Sequence, residues 1–554
     1  MGTKTRARLF KAGLAVITAA ATIAVVSGCT VQTKASTNST SGASGSLLLG
    51  ADNGTPTFTR NFNPFSPSTR IGAHYMYEPL QVVNSIDGTT TPFLATGDKF
   101  SDPKTVDYTI RSGVKWSDGT AFTPDDVVFT FDLIKKNPSL DTLGEWQHID
   151  SISSSGNTVT FHLKSPDVPA ATVIDQQIIV PKHIWSSVKN PLTWTNDNPV
   201  VTGPYVLGKF APNEYTLTKN KNYWQADKVA AKTLVLPASN TQVDIVHKGY
   251  DWAYSYISDV KGTFVAADKQ HNTYWFPPGG TIALYPNLTK APFNNLDFRQ
   301  GLSYALDRDK IADDAEQGYV KAAGQTGLLL PNQESWLDTS IPDKGAIKQD
   351  TTKALAAFEK AGYTQKGGKI VDASGKQLSL TITSPNGYTD WLRGLQALQS
   401  QLKAIGIEVT LNQPQPAAYT QALNAGNFDL ALGSYGGTGS TFQDFNNLLN
   451  SSFATPIGTA TSANFERFTD AKTDQLLTQL RSATTTDAQK QIVDQLQQTV
   501  YDQLPAIGLF YGGLWGLFST KNFTNWPSAS NPYAPPSTWT ETALLILTNI
   551  KAAS

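Results

Sequence analysis

The residues most able to do chemistry in this chain are a lone thiol, a glycine-rich loop, a carboxylate pair and a large set of rings. Cys29 is the only cysteine, so it has no internal disulfide partner. The loop Gly436-Gly437-Thr438-Gly439-Ser440 follows Tyr435 and precedes Gln443 and Asp444. Its glycines suggest a phosphate cradle, but no Lys-Ser or Lys-Thr follows, so that motif fails. The loop instead permits close backbone approach. Asp125 and Asp126 follow Thr123-Pro124, which makes them the acidic first turn of a helix rather than an acid–base pair. His183, two residues after Pro181, reads as a structural histidine rather than a metal ligand. No G-x-S-x-G or H-E-x-x-H occurs. Carboxylates far apart in the chain leave a secreted glycoside hydrolase as a remote alternative. What remains is binding chemistry, from flat apolar faces and neutral hydrogen-bonding groups, in a chain with Trp 12, Tyr 20 and Phe 25. The sequence predicts a protein that is not an enzyme and uses no cofactor or metal.

Elements must hold these residues in place. Lys4, Arg6, Arg8 and Lys11 precede an apolar run from Ala12 to Val26. That run is shorter than the ~20 residues of a spanning helix, so it reads as a signal-peptide core. Val26-Ser27-Gly28-Cys29 resembles a bacterial lipobox, in which cleavage leaves Cys29 as a lipid-carrying N-terminus. Two or more acyl chains there would hold the protein at a membrane. Thr30 to Ser46 is Ser, Thr, Gly and Ala-rich and predicts a flexible tether, with folding starting near Leu47-Leu48-Leu49. Cleavage would remove four basic and no acidic residues, taking the formal charge from −1 to near −5 and leaving no basic footprint for nucleic acid. The remaining length exceeds one compact core, so more than one lobe is expected.

Val106, Tyr108 and Ile110, and later Val159, Phe161 and Leu163, alternate as half-buried strands. Val127, Phe131 and Ile134 form a helix stripe behind the Thr123 cap. Phe298, Leu302, Ala305 and Leu306 share one helix face, with Arg299 and Asp307 expected at a lobe surface. Leu395, Leu398, Leu402 and Ile405 share another, stopped by Gly406 and followed by the alternating strand Ile407, Val409, Leu411.

Ile110 to Phe131 reads IRSGVKWSDGTAFTPDDVVFTF. Pro181-Lys182-His183-Ile184-Trp185, Thr202-Gly203-Pro204-Tyr205, Asn222-Tyr223-Trp224, Phe298 to Asp307, Leu402 to Ile407 and Phe428-Asp429-Leu430 follow in order. This series resembles the family 5 extracytoplasmic solute-binding proteins of ABC importers, the oligopeptide and dipeptide class. The resemblance implies an α/β, two-lobed periplasmic-binding-protein-like hinge fold with an extra subdomain on lobe I. Its plan is a signal peptide at 1–28, a tether at 29–46, lobe I at 47–78, 199–285 and 500–554, the subdomain at 79–198, and lobe II at 286–499. Trp116, Asp118 and Gly119 are architectural in that family. The implied partners are a small-molecule ligand, ABC permease subunits and, through Cys29, the outer face of the cell membrane; a monomer is expected.

The resemblance also frames the ligand. Peptide binders of the family pair the ligand's ammonium with an aspartate shortly after the aromatic that follows the Phe-Asp-hydrophobic strand. Counting from Tyr435 puts that position at Thr438, so the acid is missing, and Asp444 is the nearest carboxylate that a loop shift would bring in. An oligopeptide-class ligand is the leading expectation. The alternative is an oligosaccharide held by rings at Trp275, Trp391, Tyr435 and Trp515 and by neutral groups at Asn63, Asn287, Thr438 and Gln443. Phe62, Asn63 and Phe65 lie on a stretch expected at the cleft, and Gly436 and Gly437 are expected to bring backbone to the ligand.

Overall fold

The computed structural model describes residues 45–52, 55–239 and 243–553. The signal segment, Cys29 and most of the tether lie outside the described residues.

The apolar start at Leu47-Leu48-Leu49 becomes the strand Ser46–Gly50, in the interior of a seven-stranded sheet. It runs parallel to Thr233–Pro237 on one side and to Trp252–Tyr254 on the other. A strand flanked on both sides needs apolar side chains, and Leu47 and Leu49 are fully buried. The remaining strands are Glu214–Lys219 and Tyr205–Ala211 beyond one side, and Gly516–Ser519 and Asn272–Trp275 beyond the other. This sheet is the frame of lobe I.

Residues 95–163 build a separate antiparallel sheet in the order Ala95–Asp102, Thr105–Ile110, Thr158–Leu163, Ile149–Ser155. Strict alternation turns Val106, Tyr108, Ile110, Val159, Phe161 and Leu163 inward, where Phe131 of the helix Pro124–Lys136 meets Phe161 edge-on at 4.9 Å. That helix begins with a capping box: the Thr123 N–H donates to Asp126 Oδ2 at 2.9 Å. Trp116 is fully buried, and His183 pairs with Asp118 at 2.8 Å, so both are framework residues.

Lobe II is a five-stranded sheet in the order Glu408–Asn412, Ser379–Thr383, Leu430–Tyr435, Pro278–Pro286, Ile507–Gly513. The first three strands are parallel, and the last two run antiparallel to their neighbours. Helices cover both faces. Leu296–Tyr304, Arg308–Glu316 and Thr389–Ala404 pack one core. Thr441–Leu449, Ala471–Ser482 and Thr486–Gln503 pack the other. The result is an α/β, two-lobed binding-protein fold.

The lobes are joined where two neighbouring segments pass from one sheet to the other. Phe276-Pro277 link Asn272–Trp275 to Pro278–Pro286, and Leu514-Trp515 link Ile507–Gly513 to Gly516–Ser519. The Leu514 N–H donates to the Pro277 carbonyl at 2.8 Å, so the crossings are held side by side. The sheet boundaries therefore fall earlier than 285/286 and later than 499/500, because Pro278–Pro286 and Ile507–Gly513 are both largely buried strands of the lobe II sheet. Arg299 is also corrected. It is 5% exposed, and its guanidinium donates to the carbonyls of Phe293, Gln503 and Leu504 rather than facing solvent. Asp307 is the N-cap of the following helix, accepting from the Lys310 N–H.

Candidate ligand-binding cleft

Each parallel strand of lobe II ends in a loop that starts a helix, a place where backbone N–H groups and side chains converge. After Leu430–Tyr435 comes the glycine loop. Gly436, Gly437 and Gly439 have φ of +80°, +82° and +81°, a region that side chains rarely adopt. Gly437 is pressed against the crossing: a Cβ there would stand 2.0 Å from the Gly279 carbonyl oxygen. Gly439 reaches lobe I, where a Cβ on Gly88 would lie 2.9 Å from the Gly439 carbonyl oxygen. The loop thus lies between the hinge and the facing lobe.

Asp444 holds this loop in shape. Its Oδ1 accepts from the Thr438 N–H at 3.1 Å and the Thr438 hydroxyl at 2.7 Å, and its Oδ2 accepts from Gln333 Nε2 at 3.2 Å. The residue is 2% exposed, and burial pushes its carboxyl above the usual range against those hydrogen bonds. Thr438 itself is exposed, and Gln443 bonds Asn447. Tyr435 is buried beneath the loop.

The crossing carries the rings. Trp515 is half-buried and meets Phe276 edge-on at 4.9 Å and Tyr256 at 5.0 Å. Trp275, half-buried, is the last strand residue before the first crossing and packs against the lobe I core. Tyr254 and the exposed Trp539 meet edge-on at 4.1 Å. Across from them, Trp391 begins the helix Thr389–Ala404 and meets the exposed Tyr388 at 5.3 Å. Arg393 of that helix donates to the Tyr256 hydroxyl at 2.8 Å, tying this group to the Trp515 cluster. Close by, burial and Asp390 push Glu316 up to about 8.

Three expected contacts are corrected. Phe62 is fully buried, edge-on to Tyr215 and Phe210. Asn63 is fully buried and donates to the Pro191 and Trp194 carbonyls. Asn287 is fully buried and donates to those of Gly426 and Phe428. Each is used internally, so none presents a side chain to the cleft. Phe65 likewise packs on Trp185. Tyr254, Tyr256, Phe276, Tyr388 and Trp539 were not foreseen; Pro277 between the rings of Trp275-Phe276 and the Gly512-Gly513-Leu514-Trp515 run were the available signals.

The family model for bacterial extracellular solute-binding proteins, family 5 Middle, matches residues 89–456. The oligopeptide-binding protein AppA of Bacillus subtilis is 25% identical over 422 residues, which cover 73% of this chain and 75% of that one. A periplasmic oligopeptide-binding protein of an ABC transporter from Thermotoga maritima superimposes with a TM-score of 0.81 at 27% identity, covering 92% of this chain and 99% of that one. The same Thermotoga protein with mannohexaose bound superimposes at 0.71 with the same coverage. Family members are extracytoplasmic, and no helix among the described residues is long and apolar enough to cross a membrane. This chain belongs to the family 5 bacterial extracellular solute-binding proteins, which bind solutes for ABC transporters and do not transform them.

Proposed function

We propose that this chain is the lipid-anchored cargo subunit of an ABC importer and that its lobes close on a neutral, oligosaccharide-class solute. The observation that carries the choice of cargo is the state of the glycine loop. Counting from Tyr435 puts neutral Thr438 at the position of the acid, and Asp444, the nearest carboxylate downstream, spends both oxygens on the loop and Gln333. A buried ammonium without an anionic partner is unfavourable by several kcal/mol. Rings at Trp515, Tyr256, Phe276 and Trp391 beside a neutral loop suit sugar faces and hydroxyls instead. Mannohexaose bound to the Thermotoga relative supports the same direction. A peptide cargo is the second reading, favoured by the names of AppA and of that same relative. No bond is made or broken: cargo stabilises closure by touching both lobes and being sealed from water.

A melting-temperature panel tests the cargo. A ligand at a hundred times its Kd adds about 2.7 kcal/mol to stability. Mannohexaose or cello- and xylo-oligosaccharides should raise the melting temperature while short free-amine peptides do not. Peptides raising it with sugars inert reverses the assignment. The anchor has its own test: Cys29→Ser should move the protein from the membrane fraction to the medium, and continued membrane retention would refute lipid attachment.

A further inference from the structure

We propose that Arg481 and Asp167 form a latch between the lobes that holds the cleft shut before cargo arrives. Asp167 sits in the lobe I subdomain, just after the strand Thr158–Leu163, and is 3% exposed. Arg481 lies in the last turn of the lobe II helix Ala471–Ser482. Arg481 Nη1 donates to Asp167 Oδ2 at 3.0 Å. The backbone joins too, because the Val168 N–H donates to the Arg481 carbonyl at 2.8 Å.

Each partner is held ready within its own lobe. His148 Nδ1 lies 2.7 Å from the same Asp167 oxygen, and both belong to the subdomain. The Arg481 guanidinium lies 5.0 Å over the ring of Phe442, on the helix that follows the glycine loop. The same two parts of the molecule also meet at Gly88 and Gly439, where a Cβ on Gly88 would stand 2.9 Å from the Gly439 carbonyl oxygen. Among the described residues the chain passes between the two sheets at 276–277 and 514–515 alone, so these bonds exist only while the lobes are together. An exposed ion pair adds little. Here the carboxylate is nearly buried and has two nitrogen neighbours on one oxygen, which favours a stronger, charge-assisted contact. A pair formed only in one state shifts the balance between states by its full differential energy.

The latch rests on hinge closure but not on the identity of the cargo, so the test uses unliganded protein. In a Cys29→Ser mature chain, spin labels at Ser153→Cys and Gln491→Cys report the lobe-to-lobe distance distribution by pulsed electron resonance. Arg481→Gln keeps the Asp167–His148 contact and should lower the closed-to-open ratio about tenfold. Asp167→Asn should do the same, the double variant should add nothing further, and Arg481→Lys should recover part of the closed population. Rising salt should weaken the wild type and leave Arg481→Gln unchanged. Superimposable distributions for wild type and Arg481→Gln, or fully additive effects in the double variant, overturn the latch whether or not any sugar binds.

Discussion

Replacing Asp444 with asparagine separates the loop-holding role from an ammonium-binding one. In the wild type, Oδ1 serves the Thr438 N–H and hydroxyl, and Oδ2 serves Gln333 Nε2. Asparagine keeps one oxygen for Thr438 but turns an NH2 toward the Gln333 amide. Gln333 cannot simply turn over, because its Oε1 already accepts from the Leu329 N–H at 2.8 Å. One donor therefore goes unpaired, at about 1–3 kcal/mol, and the bonds to Thr438 lose their charge assistance. Relief from burying a charge offsets part of this, since burial raises the Asp444 pKa. The net expectation is a loss of about 1–3 kcal/mol from the lobe II transition in urea, read by tryptophan fluorescence. Calorimetric titration of the same variant should show sugar affinity reduced only as far as the loop loosens, with no selective effect on peptides. Unchanged stability together with abolished peptide binding would make Asp444 the ammonium partner and refute the loop-holding argument.

The two neighbouring glycines should behave differently. Gly437→Ala places a methyl 2.0 Å from the Gly279 oxygen, whereas Gly436→Ala meets nothing nearer than 3.6 Å, so the first should cost stability and at least tenfold in cargo affinity and the second only the left-handed penalty of about 1–2 kcal/mol. Equal effects in paired titrations would remove the close-approach argument. Trp515→Ala should weaken mannohexaose about tenfold while Trp515→Phe retains most affinity; equal loss would show that ring stacking is not the contact. Burial pushes Glu466 to about 8 and Glu145 to about 9, while in the unfolded chain both ionise near 4.5. Their contribution is complete below pH 4.5 and is lost as pH rises toward 8 and 9, because the unfolded state releases protons first. Stability should therefore fall between pH 5 and 9, and Glu466→Gln should flatten that slope; an unaltered slope contradicts it.

Local signals survived into the fold where the physics was local. The Thr123–Asp126 capping box, the inward alternation at Val106 and Val159, and the glycine stop at Gly406 each depend on near neighbours, and each is present. Where a partner lies far along the chain, local sequence does not reveal it. Asn63 looked like a neutral ligand contact, but its amide is taken by carbonyls near residue 190. Arg299 looked solvated because nothing in its own helix predicts the Gln503 and Leu504 carbonyls that enclose it. The cleft rings were only partly legible for the same reason. Trp515 could be named, but Tyr256 and Phe276 join it because the strands they follow pair with Gly516–Ser519 in the lobe I sheet, far along the chain. The missing acid at Thr438 was readable by counting, whereas the fate of Asp444 required the loop's own hydrogen bonds.

The most direct test of the account is native mass spectrometry of the mature protein, purified gently from its own secretion route without refolding. A bound mass that steps in hexose or pentose residues, released on denaturation with the protein mass otherwise unchanged, is the predicted result. Retained masses that resolve into amino-acid residues with a free amino terminus would contradict the neutral-cargo clamp.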